Sequence, residues 1–215
     1  MDDDTRAVRD GYDRVAAKYA ATFYDELSRK PFDRALLDAF AEEIQAAGLP
    51  GAVWDLGCGP GHVGRYLADR GLDVCGLDLS DAMLAIARRL NPAMRFVQGT
   101  MLAPPVENGT LAGIVSFYAI HHLPRGQAAD ALREFHRALR PSGRLLLGFH
   151  GGEGELVAEE MLGEPVDFHA ALFAGSEMAD YARQAGFTDV DVAERAPYDF
   201  EHPTQRVYLR AASPA

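Results

Sequence analysis

Cysteine is scarce in this chain: two in 215 residues, Cys58 and Cys75, with no metal-type spacing. That leaves no basis for a disulfide framework and makes a reducing cytoplasm the expected setting. No apolar run approaches the ~18 residues that a membrane helix needs. Met1-Asp2-Asp3-Asp4 is acidic where a secretory leader would be basic and then apolar, so neither a leader nor a membrane partner is expected. Runs of Lys and Arg are missing too. The densest pair, Arg88-Arg89, falls on a helical pattern, and the net charge is −11. Such a surface repels polyanions, which turns the expected partner away from nucleic acid and toward a small molecule.

What is present is enough apolar sequence for one domain: 48% of residues are hydrophobic and 25% charged. Strands and helices alternate, which predicts a doubly wound α/β fold, a mainly parallel sheet with helices on both faces. Residues 1–48 read as two helices. Val8, Tyr12, Val15 and Tyr19 share one face of the first; Pro31 opens the second, with Phe32, Leu36, Phe40 and Ile44 as its stripe. Strands are expected at Ala52 to Leu56, Val74 to Leu77, Arg95 to Gln98, Leu111 to Phe117 and Arg144 to Phe149. Phe187 to Ala193 and Arg206 to Ala211 then make seven, the last antiparallel. Between Gly151 and Gly175 the pattern loosens into an insertion. Its Phe168, His169, Leu172 and Phe173 suit either a lid or a surface helix packed on the sheet.

The most informative stretch is Val53-Trp54-Asp55-Leu56-Gly57-Cys58-Gly59-Pro60-Gly61. A hydrophobic strand ends in an acid, and glycines then alternate with other residues. Glycine permits tight turns and close approach of a ligand to the backbone. The loop opens a helix whose free N–H groups favour an anion, while Asp55 favours a cation. An α-amino acid group carries both charges and suits such a mouth. Asp78, ending Val74-Cys75-Gly76-Leu77, stands where a carboxylate can accept from both hydroxyls of a ribose. An acid before Leu79-Ser80 can equally help to start the next helix.

Asp55-Leu56-Gly57-Cys58-Gly59-Pro60-Gly61, Asp78-Leu79-Ser80 and Ile120-His121-His122-Leu123-Pro124 together resemble class I S-adenosylmethionine-dependent methyltransferases. The likeness is to the small-molecule group similar to ubiquinone-biosynthesis methyltransferases, and it runs from Tyr12-Asp13-Arg14-Val15-Ala16 to the last strand. The resemblance implies S-adenosylmethionine as cofactor, with Gly57, Gly59 and the neighbouring backbone at Cys58 and Gly61 lining its methionine part. It implies Asp78 on the ribose and Leu79 and Met83 beside the adenine. Family members commonly carry an acid after the strand-three glycine; here Gly99 precedes Thr100 and Met101, which leaves adenine to backbone groups and apolar packing. Phe117 and Tyr118 would lie beside the methionine part, and Tyr12 and Tyr19 would fold over the cofactor as a lid.

Each assignment has a plainer counterpart: Met83 as core, Tyr12 and Tyr19 as a docking stripe, Phe117 as a strand residue facing inward. Gly59-Pro60-Gly61-His62-Val63-Gly64 also matches the dinucleotide pattern G-x-G-x-x-G, which would make the chain an NAD(P)-dependent oxidoreductase. That match starts too late after the strand and sets Asp55 near a pyrophosphate. A non-catalytic scaffold retaining the cofactor site is a further alternative.

Methyl transfer needs positioning and exclusion of water rather than a covalent residue. If the acceptor is a hydroxyl or an ammonium, His122, and after it His121, is the candidate base, because histidine titrates near neutrality. The pair could instead cap the strand end, and no metal is expected, since such sites favour oxygen donors. Tyr198, Glu201 and Arg206 cluster around the final turn, where a surface ion pair is the expectation. The chain is expected to act as a monomer or homodimer.

Overall fold

The structure, a computed structural model, describes residues 3–215, so Met1-Asp2 of the acidic N-terminus lies outside the described residues. Seven strands form one sheet: β1 (Val53–Leu56), β2 (Val74–Asp78), β3 (Arg95–Gln98), β4 (Leu111–Phe117), β5 (Leu139–Gly151), β8 (Thr188–Arg195) and β9 (Gln205–Ala212), ordered β3-β2-β1-β4-β5-β9-β8. β1 to β5 pair in parallel, and β9 inserts antiparallel between β5 and β8. The order reverses at β1/β4, which makes the carboxyl ends of these two strands the place for a ligand. The expected sheet, with its antiparallel final strand, is the observed one.

Helices α1 (Asp3–Phe23), α2 (Pro31–Ala46), α3 (His62–Ala68), α4 (Asp81–Leu90), α5 (Arg125–Ala138) and α6 (Gly175–Ala185) complete the chain. All seven residues of β4 are buried, as a strand covered on both faces requires. On one side Ile114 and Leu145 pack with Leu132, Phe135 and Met178 of α5 and α6. On the other, Val115 and Leu146 pack with Leu37, Phe40 and Ile44 of α2 and Leu67 of α3. Each such side chain contributes ~1.5–3 kcal/mol when fully buried. The α2 stripe is rotated from the expected one: Leu37 is fully buried where Leu36 is only half-buried, and the rotation also buries Asp33.

The largest departure lies at 151–175. No surface helix forms there; the segment is a hairpin of β6 (Glu155–Met161) and β7 (Glu164–Ala171). Val166, Phe168 and Ala170 alternate inward, the period-two signature of a strand. Leu162 and Gly163, both at positive φ, make the two-residue turn. The signal was weak because Leu-Gly stands where Asn-Gly would normally announce such a turn. No helix among the described residues is long and apolar enough to cross a membrane.

Candidate active site

A cavity opens where β1, β2 and β4 end, between the glycine loop and α1. Gly57, at φ +76°, donates its N–H to the Leu77 carbonyl at 2.8 Å. A Cβ there would stand 2.3 Å from the Ala119 Cβ, so the loop can pass only as glycine. Gly59 also takes positive φ, with Tyr19 3.9 Å from where its Cβ would be. The Cys58 thiol between them is buried, which raises its pKa and keeps it protonated.

Asp78 does two things at once. Its Oδ1 accepts from the Ser80 N–H at 2.9 Å and its Oδ2 from the Gly59 N–H at 2.7 Å, so it helps to start α4 while facing the cavity. Burial raises its pKa and these N–H donors oppose the shift. Beyond it, Leu79, Met83, Gly99, Thr100 and Met101 line a mostly apolar end. Met83 is core and cavity wall together, 1% exposed. Phe117, Tyr118 and His122 form the opposite wall, and Tyr12 and Tyr19 close the top.

Three of the sequence candidates stand back from the cavity. Asp55 is 1% exposed and accepts the Gly64 N–H at 2.9 Å, so its charge meets the first turn of α3. Burial lifts its pKa to about 7, against the pull of His62 and that N–H. Gly61 packs against Asn91 and Phe96, where a Cβ would approach within 2.9 Å. His121 is buried, its ring 4.5 Å from His122 and 4.9 Å from His150.

The structure adds residues that the sequence did not single out. His62 joins the wall beside the glycine loop and Arg9 stands at α1. Asp13 turns α1 into a cover: its Oδ1 accepts from the Ser80 hydroxyl at 2.6 Å and the Ala82 N–H at 3.1 Å. Ser80 in turn caps α4 through the Met83 N–H. The signal was an acid beside Tyr12 on the half-buried edge of the stripe.

At the far end of the cover, the Tyr12 hydroxyl lies 2.7 Å from His122 Nε2. Tyr12 also stacks on Phe168 of the hairpin at 4.7 Å. Burial lowers the His122 pKa to about 4, and burial raises that of Tyr12. The imidazole is thus neutral near pH 7, and the phenol keeps its proton to donate to Nε2. Among the described residues no group of three or more His, Cys, Asp and Glu side chains is placed to hold a metal ion.

Residues 53–143 match a family model described as a methyltransferase domain. A malonyl-[acyl-carrier protein] O-methyltransferase from Enterobacter lignolyticus is 35% identical over 142 residues, 66% of this chain and 53% of that protein. A demethylmenaquinone methyltransferase from Beutenbergia cavernae is 32% identical over 151 residues, 68% of this chain and 59% of that protein. The chain therefore spans between half and three fifths of the length of these relatives. Among solved structures, the magnesium protoporphyrin IX methyltransferase of Synechocystis with bound cofactor superposes with a TM-score of 0.71 at 18% identity, over 99% of this chain and 98% of that one. Residues 53–143 thus carry a methyltransferase domain, and the chain has the fold of S-adenosylmethionine-dependent methyltransferases.

Proposed function

We propose that this methyltransferase acts on a small molecule, methylating an oxygen or nitrogen, with Tyr12 and His122 handling the acceptor's proton. The observation that carries the reading is the 2.7 Å contact between these two side chains on the wall of the cavity that the glycine loop and Asp78 also line. The residues suit the cofactor of the class. The glycine backbone leaves room for its methionine part, Asp78 has acceptor lone pairs for a ribose diol, and Leu79, Met83 and Met101 form an apolar slot for adenine. When bound, the cofactor supplies a methyl group on a positively charged sulfur.

The protein's part is placement and proton removal. α1, pinned by Asp13 to α4 and by Tyr12 to the hairpin, excludes water from above. Asp78 and the glycine loop would hold the cofactor, and its methyl group would be what an acceptor oxygen or nitrogen receives. The acceptor's proton passes to the Tyr12 oxygen as the Tyr12 proton moves to His122 Nε2, or directly to Nε2 when Tyr12 turns aside. A base held neutral by burial is free to take that proton and holds it weakly.

The two curated relatives are named for unlike acceptors, so kinship does not choose one. The dinucleotide alternative is disfavoured by Asp55, which accepts from the Gly64 N–H and so sets a carboxyl group at the first turn of α3, where that fold would bring a pyrophosphate. Calorimetry with S-adenosylmethionine, its demethylated product S-adenosylhomocysteine and NAD tests the cofactor. Binding of NAD alone would sink the reading. With an acceptor in hand, His122→Asn should lower turnover ~10²–10⁴-fold and remove the acid-limb fall, which protonation of His122 near pH 4 causes, from the pH–rate profile. His121→Asn should act through stability. Wild-type turnover in His122→Asn would leave positioning as the whole mechanism.

A further inference from the structure

Behind the cavity wall, between Tyr118 and His62, lies a chain of buried charges. The Asp33 carboxylate, 0% exposed in the first turn of α2, accepts from the Tyr118 hydroxyl at 3.1 Å, the Tyr208 hydroxyl at 3.0 Å and Arg195 Nη2 at 2.9 Å. Arg195 continues to Glu201 at 2.6 Å, and Glu201 to Lys30 at 3.3 Å. Lys30 pairs with Glu26 at 2.8 Å, and Glu26 meets His62 at 3.3 Å. Arg206, 3% exposed, sets its Nε 3.6 Å from Glu201. Three carboxylates thus balance three cations, and the surface ion pair expected at Glu201 and Arg206 is a buried one.

Burying charges in pairs is weak support for stability, since apolar residues of the same volume commonly do as well. The ends of this chain say what else it does. One end is His62 and the other Tyr118, both on the cavity wall. Tyr118 has φ +54°, a left-handed backbone that a bulky residue keeps only when its surroundings over-determine it. Its surroundings do so. The hydroxyl is held by Asp33 and Tyr208, the N–H by the Gly148 carbonyl at 2.7 Å, and the ring lies 4.7 Å from Lys30 Nζ and 5.6 Å from the Arg206 guanidinium.

We propose that Asp33, anchored by Arg195 and Glu201, is a positioning residue that holds Tyr118 in its strained backbone and so fixes the wall against which the cofactor is bound. The inference rests on reading the cavity as the S-adenosylhomocysteine site. Removing the anchor lets the backbone at the end of β4 relax, which shifts the wall without removing any group that touches the ligand.

The experiment compares Tyr118→Phe, Asp33→Asn, their double variant and Tyr208→Phe in the full chain. The readouts are calorimetric S-adenosylhomocysteine affinity and the thermal midpoint without ligand. Tyr118→Phe and Asp33→Asn should each weaken affinity about tenfold, and the double variant no more than Asp33→Asn alone. Tyr208→Phe removes the second partner of the Tyr118 hydroxyl but leaves the Asp33–Tyr118 bond in place, so it should lower the midpoint and weaken affinity by no more than about twofold, well short of the loss in Asp33→Asn. Lowered midpoints with wild-type affinity would make the chain structural only and overturn the proposal, as would equal weakening by Tyr208→Phe. If Asp33→Asn does not fold, Tyr118→Phe, which loses one hydroxyl, decides against the same control. A wild-type protein that binds no S-adenosylhomocysteine overturns both this inference and the cofactor reading.

Discussion

The two halves of the sheet build their sides of the cavity from different materials. The β1–β3 half uses backbone and apolar surface: a glycine loop, the Asp78 carboxylate held by two N–H groups, and Met83 and Leu79 as walls. The half containing β5, β9 and β8 uses long-range side-chain chemistry, with Asp33 and Arg195 paired across 162 residues of sequence. The first kind of site is written in consecutive residues and tolerates change poorly at single points. The second is spread over four elements, where each loss is shared among the remaining partners.

If that contrast holds, its sharpest break is at Gly57. Valine there would put a Cβ 2.3 Å from Ala119 in a backbone with φ +76°. Neither neighbour can give, because the loop is pinned to Leu77 and Ala119 is held between the end of β4 and the Ile120–His122 turn. S-adenosylhomocysteine affinity should fall at least about 100-fold in calorimetry, or ~2.7 kcal/mol. Circular dichroism should still show a folded protein. Affinity within tenfold of wild type would mean that the cradle is made elsewhere.

Asp78→Ala comes next. The carboxylate faces the cavity and also holds Gly59 and Ser80, so its loss removes the proposed ribose acceptor and loosens the loop. Hydrogen bonds to a charged group contribute ~1.5–3 kcal/mol each, which predicts a loss of about tenfold or more in affinity. A folded variant with unchanged affinity would confine Asp78 to starting α4.

How much of this was legible follows the same divide. Gly57, Gly59 and Asp78 could be read because positive-φ turns and strand-end acids are local features, visible within a few residues. Asp55 was read as facing ligand, since nothing local says that its charge goes to Gly64, nine residues on. Glu201 and Arg206 were noticed together but placed at the surface, because burial depends on α2 closing over them. Asp33 was not noticed at all. An acid in the first turn of a helix is ordinary, and its three donors lie just past β4, at the end of β8 and within β9. The hairpin at 155–171 was missed because its turn carries Leu162-Gly163 and its inward alternation is short.

A third test asks whether the cover belongs to either half. Gly11 of α1 is buried against Phe168, and an added Cβ would stand 2.3 Å from that ring. Gly11→Ala should therefore cost about 1–2 kcal/mol through overpacking, offset in part by helix propensity. The expected outcome is roughly tenfold faster hydrogen exchange in α1 and β7, from about 1.4 kcal/mol of local stability, with β4 unchanged. Exchange that rises equally in β4 would show the cover to be part of the global core.

The smallest effect separates the halves by the sign of their pH dependence. Burial raises the Asp55 carboxyl to about 7. The folded state then binds a proton that the unfolded state, titrating near 3.8, has released, so between these values stability from Asp55 grows as pH falls. Glu201 runs the other way. Burial alone would raise its pKa, but the hydrogen bond from Arg195, the Tyr198 N–H and the Lys30 charge outweigh burial and hold it at about 2. Its contribution is complete above its unfolded value of 4.5 and is lost as pH falls toward 2. Chemical denaturation across pH 2–8 should accordingly show Asp55→Asn flattening the slope between about 3.8 and 7 and Glu201→Gln flattening only that between about 2 and 4.5. The Glu201 difference should be on the order of 1 kcal/mol, after allowing for solvent screening near the β8–β9 turn. Glu201→Gln also leaves Arg195 and Lys30 short of a partner at every pH, so it is the change in slope, not the total stability, that reports the titration. If both variants altered the same pH window in the same direction, the two carboxylates would share one electrostatic environment and the division between the halves would fail.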